Sequence, residues 1–564
     1  MTRAMRAACL AIFTMASLPC VRPHDWLFTA PPRLESTGRT SKSVLAEPMD
    51  ASIADLAKEA MAVWNITGMA VGVIKNYEVV FSGGFGQADV LTNASVTDRT
   101  LFQIASNSKA FTSMLVLELA AKQLLNLDRP VREFLPAFKL ASDDTIGEQV
   151  DRLTLRDLMS HRTGLPRHDF EGFTSPTRSE VVSRLEYQAF DKPARYAPGE
   201  YNNNMFVSAG VAAEAVTGQT WEQLVDEHIF APLGMTRTFA NLSSVPGSEQ
   251  PSLSKAYSQH SQVPYMSADV SAPAGGIVSN VADLLKWVAL HLRQSAPLFS
   301  KQAPPGAMLL NTTTYLNLVQ GITPFPMYTM FDQYTLGWWL VALGSHDTTN
   351  PLYVHGGNLN GFSSNIGFLP SLGHAIVVLT NEDGTLGRDA LLLSIADYLT
   401  NTSRTPTYND AFLSVRNREL IIEKLETQAL QDKIANTPGP GRVPSLPLVT
   451  YCGIYDGSPL GLSSMEIQLL GASSLQLCGT LLTNLTAPSA PSCQLLSHMW
   501  YDTFAVADEV ASIHASTLTV RFVADDYGGL SGMTLPIEPA VPSAFFPKVP
   551  QSSETTGTLP SHVA

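Results

Sequence analysis

The sequence predicts an α/β protein in which an antiparallel sheet is flanked by helices and carries an all-α subdomain, followed by a small all-β C-terminal domain. Strand-like runs occur both before and after a long block of helical pattern, and a helical pattern follows the late strands. The last part of the chain alternates polar and apolar residues with period two. At 564 residues, the chain is long enough for two or more domains.

The individual elements follow from periodicity and turn residues. We predict a helix over 51–64 and then two strands within 68–86, which meet at a turn at Lys75-Asn76. Helical patterns fill the insert, and the late strands are followed by a helix at 389–400 that should pack on the same sheet. The predicted late strands are 336–341, 353–357, 364–369 and 374–379.

Composition shifts divide the chain into five segments. We predict a signal peptide at 1–20, the α/β domain at 48–402, a helical linker at 403–447, the all-β domain at 448–540 and a disordered tail at 541–564. The linker combines a charged helical pattern with a Pro/Gly-rich stretch, and the tail is polar. A basic start followed by a short apolar run is typical of a secretory signal and is too short to anchor the chain in a bilayer.

Net charge, glycosylation sites and cysteine content limit the choice of cellular compartment and of binding partners. The net charge of −14 argues against nucleic acid or an anionic membrane surface as a partner. We predict a secreted glycoprotein, because six Asn-x-Ser/Thr sites accompany the signal-like start: Asn65, Asn93, Asn241, Asn311, Asn401 and Asn484. Cys478 and Cys493 either pair or serve as small buried hydrophobes. None of the five cysteines has metal-ligand spacing, so we expect no metal and no cofactor.

The residues that suggest chemistry begin with Ser106-x-x-Lys109. A spacing of three on a helix brings the two side chains about 5–6 Å apart at Cβ, and a helix start offers unpaired N–H groups. A serine nucleophile beside an amine base fits this arrangement. A second match, Ser252-x-x-Lys255, follows a proline and opens no apolar helix, so we interpret it as a loop coincidence.

A tyrosine motif, Tyr201-x-Asn203, follows a Pro-Gly turn at the start of a predicted helix. Tyr315-x-Asn317 has the same spacing without the turn, and we interpret it as a surface loop or helix. His161, beside Gly and Pro at a helix end, is more often a structural histidine than a catalytic base.

A third motif, His355-Gly356-Gly357, lies on a predicted late strand, where glycines would allow a substrate to approach the backbone closely. In this order, the three motifs resemble the serine β-lactamase and penicillin-binding-protein family, nearest its class C β-lactamase and esterase branch. The resemblance covers about 50–400 and includes the stretches 155–166, 230–235, 274–276 and 355–364. It implies a β-lactamase/transpeptidase-like catalytic domain and a β-barrel-like C-terminal appendage.

The resemblance also implies a role for each residue. Ser106 would attack an ester or amide carbonyl, Lys109 would share its proton, and Tyr201 would act as general base and then as acid to the leaving group. Asn203 would orient the lysine and the acyl amide. The backbone N–H groups of Ser106 and Asn358 would form the oxyanion hole.

One departure from the family bears on the substrate. Penicillin-binding members place a substrate-gripping lysine where this chain has His355, and a largely neutral histidine weakens that grip on a carboxylate. We therefore expect action on a less acidic small-molecule or peptide acyl substrate. We also expect the use of carboxylated substrates to improve towards pH 6 as His355 gains charge.

Three functions compete at this stage. The leading hypothesis is a serine hydrolase that cleaves an ester or amide bond through an acyl-Ser106 intermediate. The same acyl-enzyme would serve an acyltransferase or cyclase in secondary-metabolite biosynthesis, and exclusion of water would decide between the two. A catalytically inert binding or filament protein is disfavoured by the intact Ser106, Lys109, Tyr201 and His355. The sequence carries no signal for an oligomeric state.

Overall fold

The computed structural model describes most of the chain between residues 49 and 548. The described ranges are 49–140, 151–402 without 168, 170–174, 176, 189–192, 196–198, 325–332 and 344–346, 407–417 without 415, and separate segments between 448 and 548. The chain divides into two compact units, Met1–Glu419 and Leu420–Ala564. The predicted signal peptide lies outside the described residues, as does most of the predicted linker.

A nine-stranded antiparallel sheet forms the centre of the first unit. Its strand order is β3-β2-β1-β13-β12-β11-β10-β9-β8, so the early strands join the late ones through β1 and β13. The strands of this sheet are β1 (Gly68–Lys75), β2 (Glu78–Asp89), β3 (Ala94–Ser95), β8 (Thr323–Pro324), β9 (Gln333–Tyr334), β10 (Trp339–Leu343), β11 (Asp347–Leu359), β12 (Phe362–Leu369) and β13 (His374–Thr380). Four short strands make two further pairs: β4 (Phe102–Gln103) with β7 (Val278–Ser279), and β5 (Ala256–Ser258) with β6 (Ser261–Val263).

Helices cover the sheet and form the predicted all-α insert. The α/β prediction is therefore confirmed. The ends of the predicted elements differ by a few residues, as at the terminal helix, which begins at Gly387 rather than at residue 389, and the short strands β3 to β9 were not predicted. The helices are α1 (Met49–Trp64), α2 (Ser108–Ala121), α3 (Leu155–Met159), α4 (Arg178–Arg184), α5 (Asn203–Thr217), α6 (Trp221–Val225), α7 (Ala231–Leu233), α8 (Ala272–Gly275), α9 (Val281–Ser295), α10 (Thr312–Val319) and α11 (Gly387–Leu399).

Strand β1 is apolar throughout because its side chains point alternately into two buried cores. Met69, Val71 and Val73 point into a core shared with α1 and α11, whereas Ala70 and Ile74 point into the core shared with α2 and α9. A strand buried on both faces cannot alternate polar with apolar residues. The cores on the two faces therefore hold the sheet rigidly beneath the helical subdomain.

Among its described residues, the second unit has a short helix, α12 (Leu448–Tyr451), and an eight-stranded antiparallel sheet whose strands neighbour one another in sequence order. An isolated bridge between Tyr455 and Lys548 links the first strand to the end of the last, which closes the sheet on itself. The strands are β14 (Gly453–Tyr455), β15 (Met465–Leu470), β16 (Ser474–Gly479), β17 (Ser492–Trp500), β18 (Thr503–Val506), β19 (Thr519–Ala524), β20 (Leu530–Leu535) and β21 (Ala544–Pro547).

Strand β21 corrects the predicted tail, which was placed at 541–564. Residues 544–547 pair with β20 instead of lying in a disordered segment. They carry two adjacent phenylalanines, and pairing at this position removes an open sheet edge.

In the same sheet, Cys478 is disulfide-bonded, and Cys493 lies directly opposite it on the neighbouring strand. Among the residues described, no helix combines the length and apolarity needed to cross a bilayer.

Candidate active site

The turn before α2 presents Ser106. Ala105 has a left-handed backbone (φ +49°), which is uncommon for a residue with a Cβ, and a single 3-10 turn over Ala105–Asn107 leads into the helix. Between residues 101 and 117, Ser106 is the one residue that is not buried. The turn therefore exposes one hydroxyl at the end of an otherwise buried segment, close to the N–H groups of a helix start.

Strands β11 and β12 hold this turn in place. The Ser364 hydroxyl donates to the carbonyl oxygen of Ile104 (2.8 Å) and accepts from Nδ2 of Asn107 (2.8 Å). A Cβ at Gly357 would lie 2.3 Å from the same Ile104 oxygen and 2.6 Å from Ser364 Oγ. Gly357 is thus required for the close approach of β11 to the turn that carries Ser106, whereas the sequence motif predicted that this glycine would admit a substrate. Gly356 is less constrained, because a Cβ there would meet the flexible end of Arg388 at 3.3 Å.

Lys109 lies one turn into α2, directly behind Ser106. Its Nζ is 3.0 Å from Ser106 Oγ and 2.7 Å from the carbonyl oxygen of Ala274, and its exposed fraction is 0%. Burial lowers the pKa of the amine well below its usual value. Arg167 adds to this shift, and Asp169 partly opposes it. Burial therefore favours the neutral amine, the form that accepts a proton.

Tyr201 completes the group that the sequence predicted. Its side chain hydrogen-bonds with Ser106, and Lys109 Nζ lies 4.9 Å from the centroid of its ring. Burial raises the pKa of the phenol well above its usual value, although Arg167 and the hydrogen bond with Ser106 act in the opposite direction. Tyr201 is consequently a neutral phenol, and its side chain is hydrogen-bonded to Ser106.

His161 supports Tyr201 and is structural, as the sequence indicated. It is fully buried, its Nδ1 accepts from the backbone N–H of Asn202 (3.2 Å), and its ring centroid lies 4.2 Å from that of Tyr201. Mainly through burial, the pKa of this imidazole is held well below its usual value. A neutral ring packed against the phenol positions Tyr201 just before α5 begins.

Asn203 departs in part from its expected role. Its Nδ2 donates to Asp169 (2.7 Å), whereas the hydrogen bonds of Lys109 go to Ser106 and Ala274. Asn203 therefore does not orient the lysine directly. Within the described part of the chain, its Oδ1 is buried without a hydrogen-bond partner, which leaves an acceptor for a substrate N–H.

An ion pair that the motifs did not reveal lies beside this group. Arg167 pairs with Asp169, and the guanidinium carbon of Arg167 lies 5.2 Å from the centroid of the Tyr201 ring. Both residues follow the 155–166 stretch directly in sequence. Their charges oppose each other near Lys109 and Tyr201, so this cation brings little net positive charge to the site.

His355 corrects the sequence prediction most clearly. Its exposed fraction is 1%, its Nδ1 lies 2.7 Å from the carbonyl oxygen of Gly356, and its Nε2 lies 3.0 Å from the hydroxyl of Tyr334. The carbonyl can only accept, so Nδ1 carries the proton and Nε2 accepts from Tyr334. Mainly through burial, the pKa of the imidazole falls to about 3. His355 is therefore a neutral structural residue and does not grip a substrate carboxylate.

A pH experiment tests this correction. We expect the ratio of kcat/KM for a carboxylated substrate to that for its uncarboxylated analogue to stay flat from pH 8 to pH 6. The reason is that a histidine with its pKa lowered to about 3 remains neutral across that range. The substrate carboxylate does not titrate there either. A ratio that rises several-fold towards pH 6 would place a charged His355 beside the substrate.

Asn358 lies at the end of β11, where the sequence placed an oxyanion donor. Strand β10 begins opposite Val354 in register, so the 355–359 part of β11 extends beyond β10 and runs along the turn that carries Ser106. Arg388, in the first turn of α11, donates to the side-chain oxygen of Asn358 (2.5 Å) and to the carbonyl oxygen of Gly357. Sequence reasoning missed Arg388, because only the packing of α11 on the sheet brings it here.

The two additional motif matches, Ser252-x-x-Lys255 and Tyr315-x-Asn317, lie in different surroundings from the candidate site. Ser252 ends a short 3-10 turn at Gln250–Ser252, and Lys255 lies beyond that turn with its Nζ 5.8 Å from the Tyr265 ring. The pair does not share a helix, which agrees with the prediction that this match lies in a loop. Tyr315 is in α10, but it is a fully buried core residue bonded to His291 (2.7 Å) rather than a surface residue.

Comparisons with known proteins agree with this geometry. The sequence model of the family described as Beta-lactamase matches residues 53–400. The unguisins hydrolase ungD' of Aspergillus campestris is 28% identical over 426 residues, which cover 72% of this chain and 76% of that protein. The unguisins hydrolase ungD of Aspergillus violaceofuscus is 27% identical over 441 residues, covering 72% of this chain and 75% of the relative.

A solved structure shows the same fold at low sequence identity. The class C beta lactamase of Rhodobacter sphaeroides superimposes with a TM-score of 0.51 at 20% identity, covering 62% of this chain and 99% of that one. The family match extends over more than half of the chain and contains all three motifs. This protein belongs to the β-lactamase family. Its homologues include hydrolases.

Proposed function

We propose that the protein is a serine hydrolase that cleaves an ester or amide bond through an acyl-Ser106 intermediate. The observation that carries the proposal is the 3.0 Å contact between Ser106 Oγ and the fully buried amine of Lys109. A serine hydroxyl is a weak nucleophile unless a base accepts its proton. The buried amine is such a base, and it lies within hydrogen-bonding distance.

The pKa directions support Lys109, rather than Tyr201, as the base in this proposal. Burial lowers the pKa of the amine and raises that of the phenol, so it favours the neutral form of each group. Only the amine then has a lone pair basic enough to accept the proton, while the phenol is a donor. This differs from the resemblance, which implied Tyr201 as the general base.

Acylation of Ser106 then proceeds through linked proton transfers. Ser106 Oγ attacks the substrate carbonyl carbon, and its proton moves to Lys109 Nζ. The bond to the leaving group breaks as Tyr201 donates its proton to the departing oxygen or nitrogen, and the Lys109 ammonium returns a proton to Tyr201. Water attacks the acyl-enzyme by the reverse route and releases the acid.

The backbone around Ser106 would stabilise the developing oxyanion. The N–H of Ser106 belongs to the turn at the start of α2, and the N–H of Asn358 belongs to the part of β11 that runs along it. Removing one such donor typically costs about 2.7–4 kcal/mol of transition-state stabilisation. The close approach of Gly357 to Ile104 keeps these two backbone segments together.

The site favours substrates with no carboxylate beside the scissile bond. His355 is neutral and buried, and the charge of Arg167 is opposed by Asp169. An ester or an internal peptide amide meets this condition, whereas a peptide C-terminus or a penicillin does not. The unpartnered Oδ1 of Asn203 would accept the N–H of an amide substrate. The names of the Aspergillus relatives support hydrolysis rather than transfer.

Trapping the intermediate tests the proposal. We expect an activated aryl ester to give a burst of about one leaving group per protein molecule, because acylation by an activated ester outpaces deacylation. Acid quenching during turnover should leave an acyl group on the peptide that contains Ser106, detected by mass spectrometry. The same assay with a peptide amide and a cephalosporin then ranks the substrate classes.

Two outcomes would contradict the proposal. One is turnover without a burst and without an adduct, because water would then attack the substrate directly. The other is an adduct on a residue other than Ser106. A denatured sample treated with the same ester is the control, since exposed lysines acylate slowly without any site.

A further inference from the structure

Arg388 is buried beside the strand that would supply the oxyanion donor. Its exposed fraction is 1%, and its Nη1 donates both to the Gly357 carbonyl oxygen and to the Asn358 side chain. Its Nε lies 3.3 Å from Oδ1 of Asp389, which is fully buried and accepts from Asn365 Nδ2 (2.6 Å). A buried guanidinium is costly to keep unless it is paired, as this one is.

The carbonyl group that Arg388 binds belongs to the peptide unit whose N–H would be the oxyanion donor. The C=O of Gly357 and the N–H of Asn358 belong to one peptide unit. This unit is planar and conjugated, and in the trans form its C=O and N–H point in opposite directions. A cation that binds the oxygen therefore fixes the direction of the N–H and makes its hydrogen more positive.

The strand register gives the direction of that N–H. Leu359 and Phe362 flank a two-residue connection between β11 and β12. They are the first and fourth residues of a β-turn, in which the N–H of the fourth residue donates to the C=O of the first. Along an antiparallel strand, the backbone N–H and C=O groups of one residue point towards a given partner strand, and those of the next residue point away from it. Leu359 and Gly357 thus face β12, and the N–H of Asn358 points to the other edge, beyond the end of β10.

We propose that Arg388 is a positioning residue that orients and polarises the Gly357–Asn358 peptide unit, and so strengthens the oxyanion donor at Asn358. This rests on the proposed function, because the donor matters only if an oxyanion forms at Ser106. Asp389 accepts from Nε of the guanidinium, and Asn365 donates to the same carboxylate oxygen. Arg388 touches neither Ser106 nor Lys109 in the structure, so it acts through the peptide unit.

The test must remove the cation without stranding its buried partner. Arg388→Met alone would leave the Asp389 carboxylate uncompensated, so the double variant Arg388→Met with Asp389→Asn is used, and Asp389→Asn alone is its reference. The matched control is Arg237→Met with Glu249→Gln. Arg237 also pairs with a carboxylate and donates to a backbone carbonyl, that of Arg99 (3.1 Å), at a place that touches no site residue.

The readout is turnover of an aryl ester and of the matching thionoester, in which sulfur replaces the carbonyl oxygen. Sulfur accepts hydrogen bonds weakly, so the thionoester gains little from an oxyanion donor. Relative to Asp389→Asn, the double variant should lose about ten-fold in kcat for the ester, since charge-assisted hydrogen bonds are roughly twice as strong as neutral ones. KM should change little, because the donor acts mainly in the transition state.

With the thionoester, we expect a loss of no more than about two-fold, and we expect the control variant to keep both rates. Equal losses for the two substrates, or an unchanged ester rate in a folded double variant, would overturn the proposal. Fluorophosphonate labelling of the wild-type protein at Ser106 is measured first. Failure of that labelling would remove the proposed function and this inference with it, whereas labelling with an unchanged ester-to-thionoester ratio would remove this inference alone.

Discussion

Ser106→Ala is expected to abolish covalent labelling by a fluorophosphonate probe, and Ser252→Ala is expected to leave labelling intact. Both serines begin a Ser-x-x-Lys pattern, so the two variants differ in structure rather than in motif. Ser106 has an amine 3.0 Å from its Oγ, whereas Ser252 ends a 3-10 turn whose lysine lies outside it. A probe that needs an activated nucleophile should distinguish them completely.

The substitution should leave the fold unchanged, because it removes one half-exposed hydroxyl and opens no cavity. Thermal unfolding of the three proteins is the control, and the melting temperatures should agree closely. Labelling that persists in Ser106→Ala, mapped by mass spectrometry to another residue, would show that the nucleophile has been misassigned.

Lys109→Met should lower kcat by at least about 10², the lower end for a lost acid–base group. Methionine keeps most of the buried volume and removes the amine that accepts the Ser106 proton. The Ala274 carbonyl loses its donor, which should cost about 1–3 kcal/mol of the free energy of unfolding. The matched control is Lys255→Met in the second motif, and it should turn over like the wild type.

The pH profile separates a lost base from a damaged site. In the wild type, the rate should fall as pH drops below the lowered pKa of Lys109, because the ammonium cannot accept a proton. Residual activity in Lys109→Met should lack this acid limb. Tyr201→Phe should keep the limb while its kcat falls by a comparable factor, about 10². A Lys109→Met rate close to that of the wild type would exclude the amine as the base.

The candidate catalytic group could be predicted from the sequence because its geometry is mostly local. The serine and the lysine are fixed by helix spacing, and Tyr201 is fixed by the turn that leads into α5. The sheet was also predictable, since its buried strands are continuous apolar runs. These features depend on short segments whose physical chemistry is independent of the rest of the chain.

His355 and Arg388 show where such reasoning ends. The histidine was assigned to the substrate by its place in a motif, yet its burial depends on Tyr334, which belongs to a different strand. Arg388 lies one residue before the predicted helix start, and only tertiary packing joins it to β11. Long-range contacts and burial decide both cases, and neither leaves a periodic signal.

The pairing of β1 with β13 has a consequence for how the chain matures. A strand near the middle of the sheet is synthesised early, whereas its neighbour appears only after the whole helical subdomain. Until then, Val71 and Val73 lack α11, the later of the two helices that cover this side of β1 in the folded protein. Contacts so distant in sequence form slowly and leave apolar edges exposed during synthesis. Production of this protein should therefore depend on chaperone capacity more than its native packing would indicate.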